Sequence, residues 1–108
     1  MSCANDFRTK LTSNGTGMIK EKSDVLEFNG VKTITLQVSF ARRRQDSATG
    51  SVIVEEDVIP VKFWASGAEM IADLASVGQH IYVETEVRSR GSRLELKAKH
   101  FELLGSCK

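Results

Sequence analysis

Apolar and polar residues alternate along residues 32–40, KTITLQVSF. A period of two over this length predicts a strand with one buried face. The predicted buried face carries Ile34, Leu36, Val38 and Phe40. Asn29 and Gly30, which come just before this segment, both tolerate positive φ and predict a hairpin turn. The preceding strand is therefore expected to end at Leu26 and Phe28.

The pattern extends on both sides of this strand. We expect the first strand to begin near Phe7 and to pass through Gly15 and Gly17, where glycine predicts a kink or a bulge. The polar run 42–51, RRRQDSATGS, predicts a loop. A third strand is expected over 52–64, with Ile59, Val61 and Phe63 on one face and Val58, Pro60, Lys62 and Trp64 on the other. Proline within a strand is typical of an edge or a bulge.

Residues 66–77 form the one predicted helix. Ser66 and Glu69 have the spacing of a capping box, in which each side chain accepts a hydrogen bond from a backbone N–H at the helix start. Gly78 suits a left-handed residue that ends the helix. The sequence therefore predicts a short helix of about three turns between two strands.

Two more strands are predicted after the helix. One contains Ile81, Val83 and Val87, the other covers 94–104, and Arg-Gly-Ser at 90–92 turns between them. Five strands with one helix between the third and the fourth is the order of an OB-fold, an all-β, five-stranded Greek-key barrel. We therefore predict a single OB-fold domain over 1–108, with its core at about 7–105. An open α+β sheet of four strands packed on the helix is the alternative.

The composition is that of an ordinary globular protein. Of the 108 residues, 41% are hydrophobic and 27% are charged, and the formal net charge is +1. No apolar run approaches the roughly 18 to 20 residues that span a bilayer. The start, MSCANDFRTK, lacks the apolar segment of a secretion signal. We therefore expect a cytoplasmic protein with no membrane partner.

The charges are less evenly distributed than the net charge suggests. Arg42, Arg43 and Arg44 are consecutive, and the acidic residues group at 55–57. A second basic cluster lies between residues 88 and 99, where Arg88, Arg90, Arg93, Lys97 and Lys99 accompany one acid, Glu95. Such clusters are typical of a surface that binds a polyanion, and equally of a solvated surface.

The cysteines and histidines do not predict a metal site. Cys3 and Cys107 lie in the terminal segments, and we expect two free thiols because cytosolic thiols are normally reduced. Together with His80 and His100 they contain no pair spaced like CxxC or HxxxH. The sequence also lacks a phosphate loop and a nucleophile–base pair. We therefore expect no metal, no cofactor and no enzymatic activity.

Four segments resemble the bacterial single-stranded-DNA-binding proteins. VIPVKFWASGAEMIADL (58–74) is similar to the family's third strand and following helix, including the aromatic residue that closes the strand and the Ala-Glu at the helix start. The other three are VGQHIYVETEVRSR (77–90), LELKAKHFELLG (94–105) and QDSATG (45–50). They resemble, respectively, the segment after the helix, the closing strand and the loop after the second strand. Their order and spacing over about 17–105 carry the resemblance.

The resemblance implies sequence-nonspecific binding of single-stranded DNA in replication, repair or recombination. Bases would stack on aromatic rings and cations would neutralise phosphates. Trp64 stands at an expected aromatic position, beside Lys62 and on the strand face opposite Phe63, and Tyr82 is a weaker second platform. The rest of the implied DNA-binding set is Arg42, Arg43, Arg44, Arg88, Arg90, Arg93, Lys97 and Lys99. The alternative for Trp64 is that it closes one end of the barrel as part of the core.

Several departures from the family favour a different role. Arg44 and Val58 stand where aromatic residues are usual, and the loop between the last two strands is short. The sequence stops at Lys108 without the flexible tail and acidic tip that recruit replication proteins. The alternative is therefore a primosomal-type accessory OB protein that binds both DNA and a replication protein, and a third class is a pure assembly module. The resemblance also implies a bacterial, phage or plasmid origin and homodimers or tetramers that pair their first strands.

Overall fold

The computed structural model describes residues 10–106. In chain order these residues form β1 (Leu11–Lys22), β2 (Leu26–Phe28), β3 (Val31–Gln45), β4 (Val52–Trp64), α1 (Ser66–Leu74), β5 (Gln79–Arg90) and β6 (Arg93–Ser106). The sequence predicted five strands, and the structure has six. The first predicted strand is divided because the Ser23 backbone N–H donates to the Thr35 carbonyl at 3.0 Å and the Ser23 Oγ accepts from the Thr35 N–H at 2.9 Å. Phe7, Cys3 and Cys107 lie outside the described residues.

Five of the strands pair in a closed circuit. β1 pairs antiparallel with β5 over residues 11–18 and with β3 over residues 18–22. The circuit continues from β5 to β6, from β6 to β4 and from β4 back to β3, and among the described strands the β4–β6 pairing is the parallel one. β2 lies outside the circuit, on the edge of β3. The Asn29-Gly30 hairpin turn between β2 and β3 is confirmed, with φ of 51° and 79°.

The core is one cluster of apolar side chains from four strands and α1. Its members include Ile19 of β1, Ile34, Leu36 and Val38 of β3, Val61 and Phe63 of β4, Ile81 and Val83 of β5, and Ile71 of α1, all at most 2% exposed. The Phe63 ring also meets the Phe101 ring of β6 edge-on, with 5.3 Å between the ring centroids. The buried apolar faces predicted for β3 and β4 are therefore confirmed, although Thr33 and Ser39, on the other face of β3, are buried as well.

β1 crosses close above β3 at a glycine. A Cβ atom on Gly17 would lie 2.5 Å from the Ser39 carbonyl oxygen and 2.6 Å from a methyl carbon of Val38. Glycine is required here because any side chain would collide with the neighbouring backbone. The register of β1 against β3 shifts at residues 19–21. The irregularity predicted at the glycines therefore lies a few residues beyond them.

β3 and β4 extend past the core as a long hairpin. Their pairing runs from Thr33 and Trp64 to Gln45 and Val52. The predicted loop over 42–51 is therefore wrong for its first four residues, which belong to β3. The strands are connected by residues 46–51, and we call residues 41–57, which project from the core, the β3–β4 arm.

The helix is shorter than predicted and has no capping box. It ends at Leu74, and its N-cap is Ala65, with φ of 54° and no capping hydrogen bond from a side chain. Gly78 does have a positive φ of 93°, but it lies in the turn that enters β5, because Ala75 is already extended. Within residues 10–106, no helix is long and apolar enough to cross a membrane.

Candidate nucleic-acid interface

Trp64 lies on the face of β4 that points away from the core, together with two lysines. Its neighbour Phe63 is buried, so strand alternation turns the indole outward. The Lys62 Nζ is 4.7 Å and the Lys97 Nζ 5.4 Å from the centroid of the Trp64 ring. Both distances are within the roughly 6 Å of a cation–π interaction. The predicted sharing of one face by Lys62 and Trp64 is confirmed, and β6 adds Lys97 because it is the parallel partner of Lys62.

The indole of Trp64 is partly buried. Its Nε1 is shielded from solvent and has no hydrogen-bond partner among the described residues. An unpaired buried donor destabilises a fold by about 1–3 kcal/mol. One edge of the ring therefore packs against the protein, while the ring itself remains within reach of two ammonium groups. Trp64 combines a packing role with exposure on the outer face.

A cleft of about 280 Å³ opens beside the indole and contains more of the predicted cations. Besides Trp64, its walls are formed by Arg88, Ser89 and Arg90 of β5 and by Glu95 and Lys97 of β6. We call it the Trp64 cleft. Arg88 and Arg90 enter it together because residues two apart on a strand lie on the same face. The structure thus brings Trp64, Lys62, Lys97, Arg88 and Arg90 into one neighbourhood.

Glu86 holds two of the predicted cations. The Arg88 Nη2 lies 2.8 Å and the Lys99 Nζ 3.6 Å from its carboxylate oxygens. The hydrogen bond from Arg88, with the charges of Arg88 and Lys99, lowers the pKa of Glu86 against the opposing effect of burial. Glu86 was not among the predicted site residues, because it lies just before the basic cluster of residues 88–99. Its position two residues before Arg88 is the signal that places both on one face.

Arg90 and Arg93 differ in their partners. The Arg90 guanidinium lies 3.5 Å from the Glu95 carboxylate across the β5–β6 hairpin. No carboxylate of residues 10–106 lies within 4.0 Å of Arg93. Arg93 is therefore the more available cation of this pair. In the same described range, no three His, Cys, Asp or Glu side chains are grouped to hold a metal ion.

Solved structures with the same fold include DNA-binding proteins. A deletion variant of the single-stranded DNA binding protein from Thermus aquaticus superposes with a TM-score of 0.73 and 20% identity, over 86% of this chain and 49% of that chain. PriB from Ralstonia solanacearum superposes with a TM-score of 0.70 and 12% identity, over 89% of this chain and 98% of that chain. The Plasmodium falciparum SSB in complex with ssDNA superposes with a TM-score of 0.70 and 14% identity, over 92% of this chain and 96% of that chain.

The chain shares its fold with bacterial single-stranded-DNA-binding proteins. It spans about half the length of the Thermus aquaticus protein. No protein-family model and no curated protein sequence matches it.

The three consecutive arginines are split within this fold. Arg42 binds Glu55 at 3.0 Å and Asp57 at 3.2 Å, and Arg44 also binds Glu55. Arg43 points to the opposite face of the β3–β4 arm, opposite Val54 of β4, and has no carboxylate partner among the described residues. At about 3.3 Å per residue, the ten positions along β4 place this point about 33 Å from Trp64. The arginines therefore do not belong to the Trp64 cleft.

Tyr82 also lies away from the Trp64 cleft. It pairs with Thr16 of β1 and Glu102 of β6, and lies six positions along β5 from Arg88, which lines that cleft. Its hydroxyl donates to the Glu84 carboxylate at 2.8 Å. That hydrogen bond is the main cause of the raised pKa of Tyr82, followed by burial and the charge of Glu84. The structure therefore provides one tryptophan platform among cations, and separates Tyr82 from it.

Proposed function

We propose that this protein binds single-stranded DNA without sequence preference, by stacking a base on Trp64 and neutralising phosphates with the cations around it. The observation that carries the proposal is the group formed by Trp64, Lys62 and Lys97, with Arg88 and Arg90 in the same cleft. Base stacking and a positively charged groove are the two effects that hold single strands. A structure with the same fold, that of Plasmodium falciparum SSB, is a complex with ssDNA.

In this proposal the scaffold is a single OB-fold domain. A five-stranded barrel requires its first strand to pair with two others and close the circuit. The pairings of β1 with both β5 and β3 support this architecture. β2 is then an addition outside the barrel.

The two lysines have a second task in this mechanism. In the free protein their ammonium groups lie against the Trp64 ring, so a stacking base must displace at least one of them. An exposed cation–π contact is worth about 0.5–1 kcal/mol, whereas a stacked base is worth about 1–3 kcal/mol. The exchange is therefore favourable. A displaced Lys62 or Lys97 remains beside the nucleotide, where its ammonium group can pair with the phosphate.

The test is a fluorescence titration with an oligo-dT, because Trp64 is the one tryptophan of the chain. Binding should quench its emission, and Trp64→Ala should weaken binding by about 1–3 kcal/mol. Phe28→Ala is the matched control, since Phe28 is a 65% exposed aromatic residue of β2, outside the circuit. Binding without a quench contradicts stacking on Trp64, and no binding at low salt contradicts the proposed function.

We propose that the protein coats exposed strands in replication, repair or recombination and performs no chemistry on them. The alternative is a primosomal-type accessory protein. The likeness to PriB favours it, as does the presence of one aromatic residue, Trp64, in the lining of the Trp64 cleft. Stoichiometric protection of single-stranded DNA from a nuclease would support coating. Tight binding to a replication protein together with weak DNA affinity would support the alternative.

We also propose that the protein forms homodimers or tetramers. Residues 11–17 of β1 pair with β5 on one side, and no described strand pairs with their other side. An unpaired strand edge invites pairing with a second chain. In an assembly of several subunits, one DNA strand could also contact several binding faces, which would raise its overall affinity through avidity.

A further inference from the structure

A second cleft lies beside the Trp64 cleft, between β4 and the start of β6. It has a volume of about 310 Å³, and Arg90 and Glu95 line both clefts. The Arg90–Glu95 ion pair, at 3.5 Å, is thus a wall common to the two. Lys62 also links them, because it lines the second cleft while its ammonium group lies against the Trp64 ring. The two clefts are therefore neighbours along one surface.

The second cleft combines an exposed apolar floor with cations. Leu94, at the start of β6, is 75% exposed, and Pro60 of β4 is also exposed. Lys62, Arg90 and Arg93 line the same cleft. The one acidic side chain of the lining, Glu95, is already paired with Arg90. The lining of the cleft thus combines apolar side chains with an excess of positive charge.

This combination fits a flat, weakly polar group that is attached to an anion. A nucleobase on a phosphate backbone has that character, and every base has an apolar face. The volume is also near the lower end of the roughly 300–1,000 Å³ of small-molecule pockets. An acidic segment without apolar side chains would leave the apolar floor unmatched, and a neutral segment would leave the cations unmatched.

We infer that this cleft is a second nucleobase subsite, which takes the base next to the one that stacks on Trp64. The inference rests on the proposed function. The base lies against Pro60 and Leu94, in place of a second aromatic ring. Lys62 stands between the two subsites, beside the phosphate that joins the two nucleotides. Arg93, which has no carboxylate partner in the described part of the chain, receives the next phosphate.

The test uses Leu94→Ser, with Leu74→Ser on α1 as the matched control because Leu74 is also an exposed leucine, at 59%. Affinity is measured by the anisotropy of a short labelled oligo-dT, so the signal does not depend on Trp64. Leu94→Ser should weaken binding about fivefold, the factor expected for losing about 40 Å² of apolar contact. The salt dependence should not change, because no charge is lost. Leu74→Ser should bind like the wild type.

A second oligonucleotide shows whether the lost contact is to a base. An abasic strand of the same length should bind Leu94→Ser and the wild type equally, since it has no base for the cleft. Arg93→Ser provides an independent variant, and should reduce the slope of log K against log salt by about 0.7. The inference is overturned if Leu94→Ser binds oligo-dT like the wild type, or if it loses the same factor with the abasic strand. Quenching of Trp64 in the wild type would still support the proposed function in either case.

Discussion

Glu86 pairs with Arg88 and Lys99, and would compete with DNA for these two cations if they contact phosphates. Hydrogen bonding from Arg88 and the charges of Arg88 and Lys99 hold the pKa of Glu86 below its ordinary value of 4.5. Because the pKa is lowered in the folded state, the ionised carboxylate stabilises the fold above about pH 4.5. This contribution disappears as the pH falls through the lowered pKa. The same protonation would release Arg88 and Lys99 for phosphates.

Replacing Glu86 with Gln should reproduce that release at neutral pH. We expect Glu86→Gln to bind single-stranded DNA more tightly at low salt. Two additional phosphate contacts would make the slope of log K against log salt steeper by up to about 1.4, at about 0.7 per contact. Titrations at several salt concentrations measure this slope.

The control for Glu86→Gln is Glu27→Gln, which removes one carboxylate from β2, outside the circuit of strands. It should leave the slope unchanged, which separates a local release of cations from a general change in net charge. If the two variants have the same slope, Arg88 and Lys99 do not contact phosphates.

At the scale of strands, the local sequence pattern was sufficient to predict those strands that have one buried face. The alternation of β3 and the turn at Asn29 predicted real elements because both depend on neighbouring residues. The β3 half of the arm was missed because residues 42–45 belong to β3 through their pairing with residues 52–55 of β4, which the pattern of one strand alone does not contain. When β3 is considered without its partner strand, its polar residues in the arm resemble those of a loop.

The site shows the same limit. Strand parity placed Lys62 beside Trp64, since the two residues are on one strand. The position of Lys97 depends on the parallel register between β4 and β6, which no local pattern contains. Arg42 and Arg44 were grouped with Arg43 because residues 42–51 were predicted to form a loop, in which strand alternation does not separate neighbouring residues. Their acidic partners follow only from the register of β3 against β4.

The β3–β4 arm provides a comparison between adjacent arginines. Arg43 has no carboxylate partner in the described residues, whereas Arg44 is paired with Glu55. If DNA extends along the arm, Arg43→Ser should reduce the salt slope by about 0.7. Arg44→Ser should change it little, because that charge is already compensated. Equal slopes for the two variants and the wild type would show that DNA does not reach the arm.

At the scale of the whole molecule, the edge formed by residues 11–17 predicts assembly. Light scattering at micromolar concentration should give two or four times the 11.9 kDa of one chain. Asn14→Lys should lower this mass, because a lysine on a strand edge opposes pairing with another chain. Ser47→Lys, in the turn of the arm, is the control for added charge. A mass of one chain for the wild type at every concentration tested would contradict the assembly proposal.

The double pairing of β1 also has a consequence for how the chain folds. The Ser13 and Thr85 hydroxyls lie 2.6 Å apart and 72 positions apart in sequence, so the circuit cannot close before β5 exists. Non-local pairing of this kind slows folding to the millisecond-to-second range. During synthesis at about 5–20 residues per second, β1 waits about 4 to 14 s for its partner. Once they are synthesised, the apolar faces of β3 and β4 remain unprotected until β5 follows, and the charged pairs of the β3–β4 arm oppose aggregation at its edges.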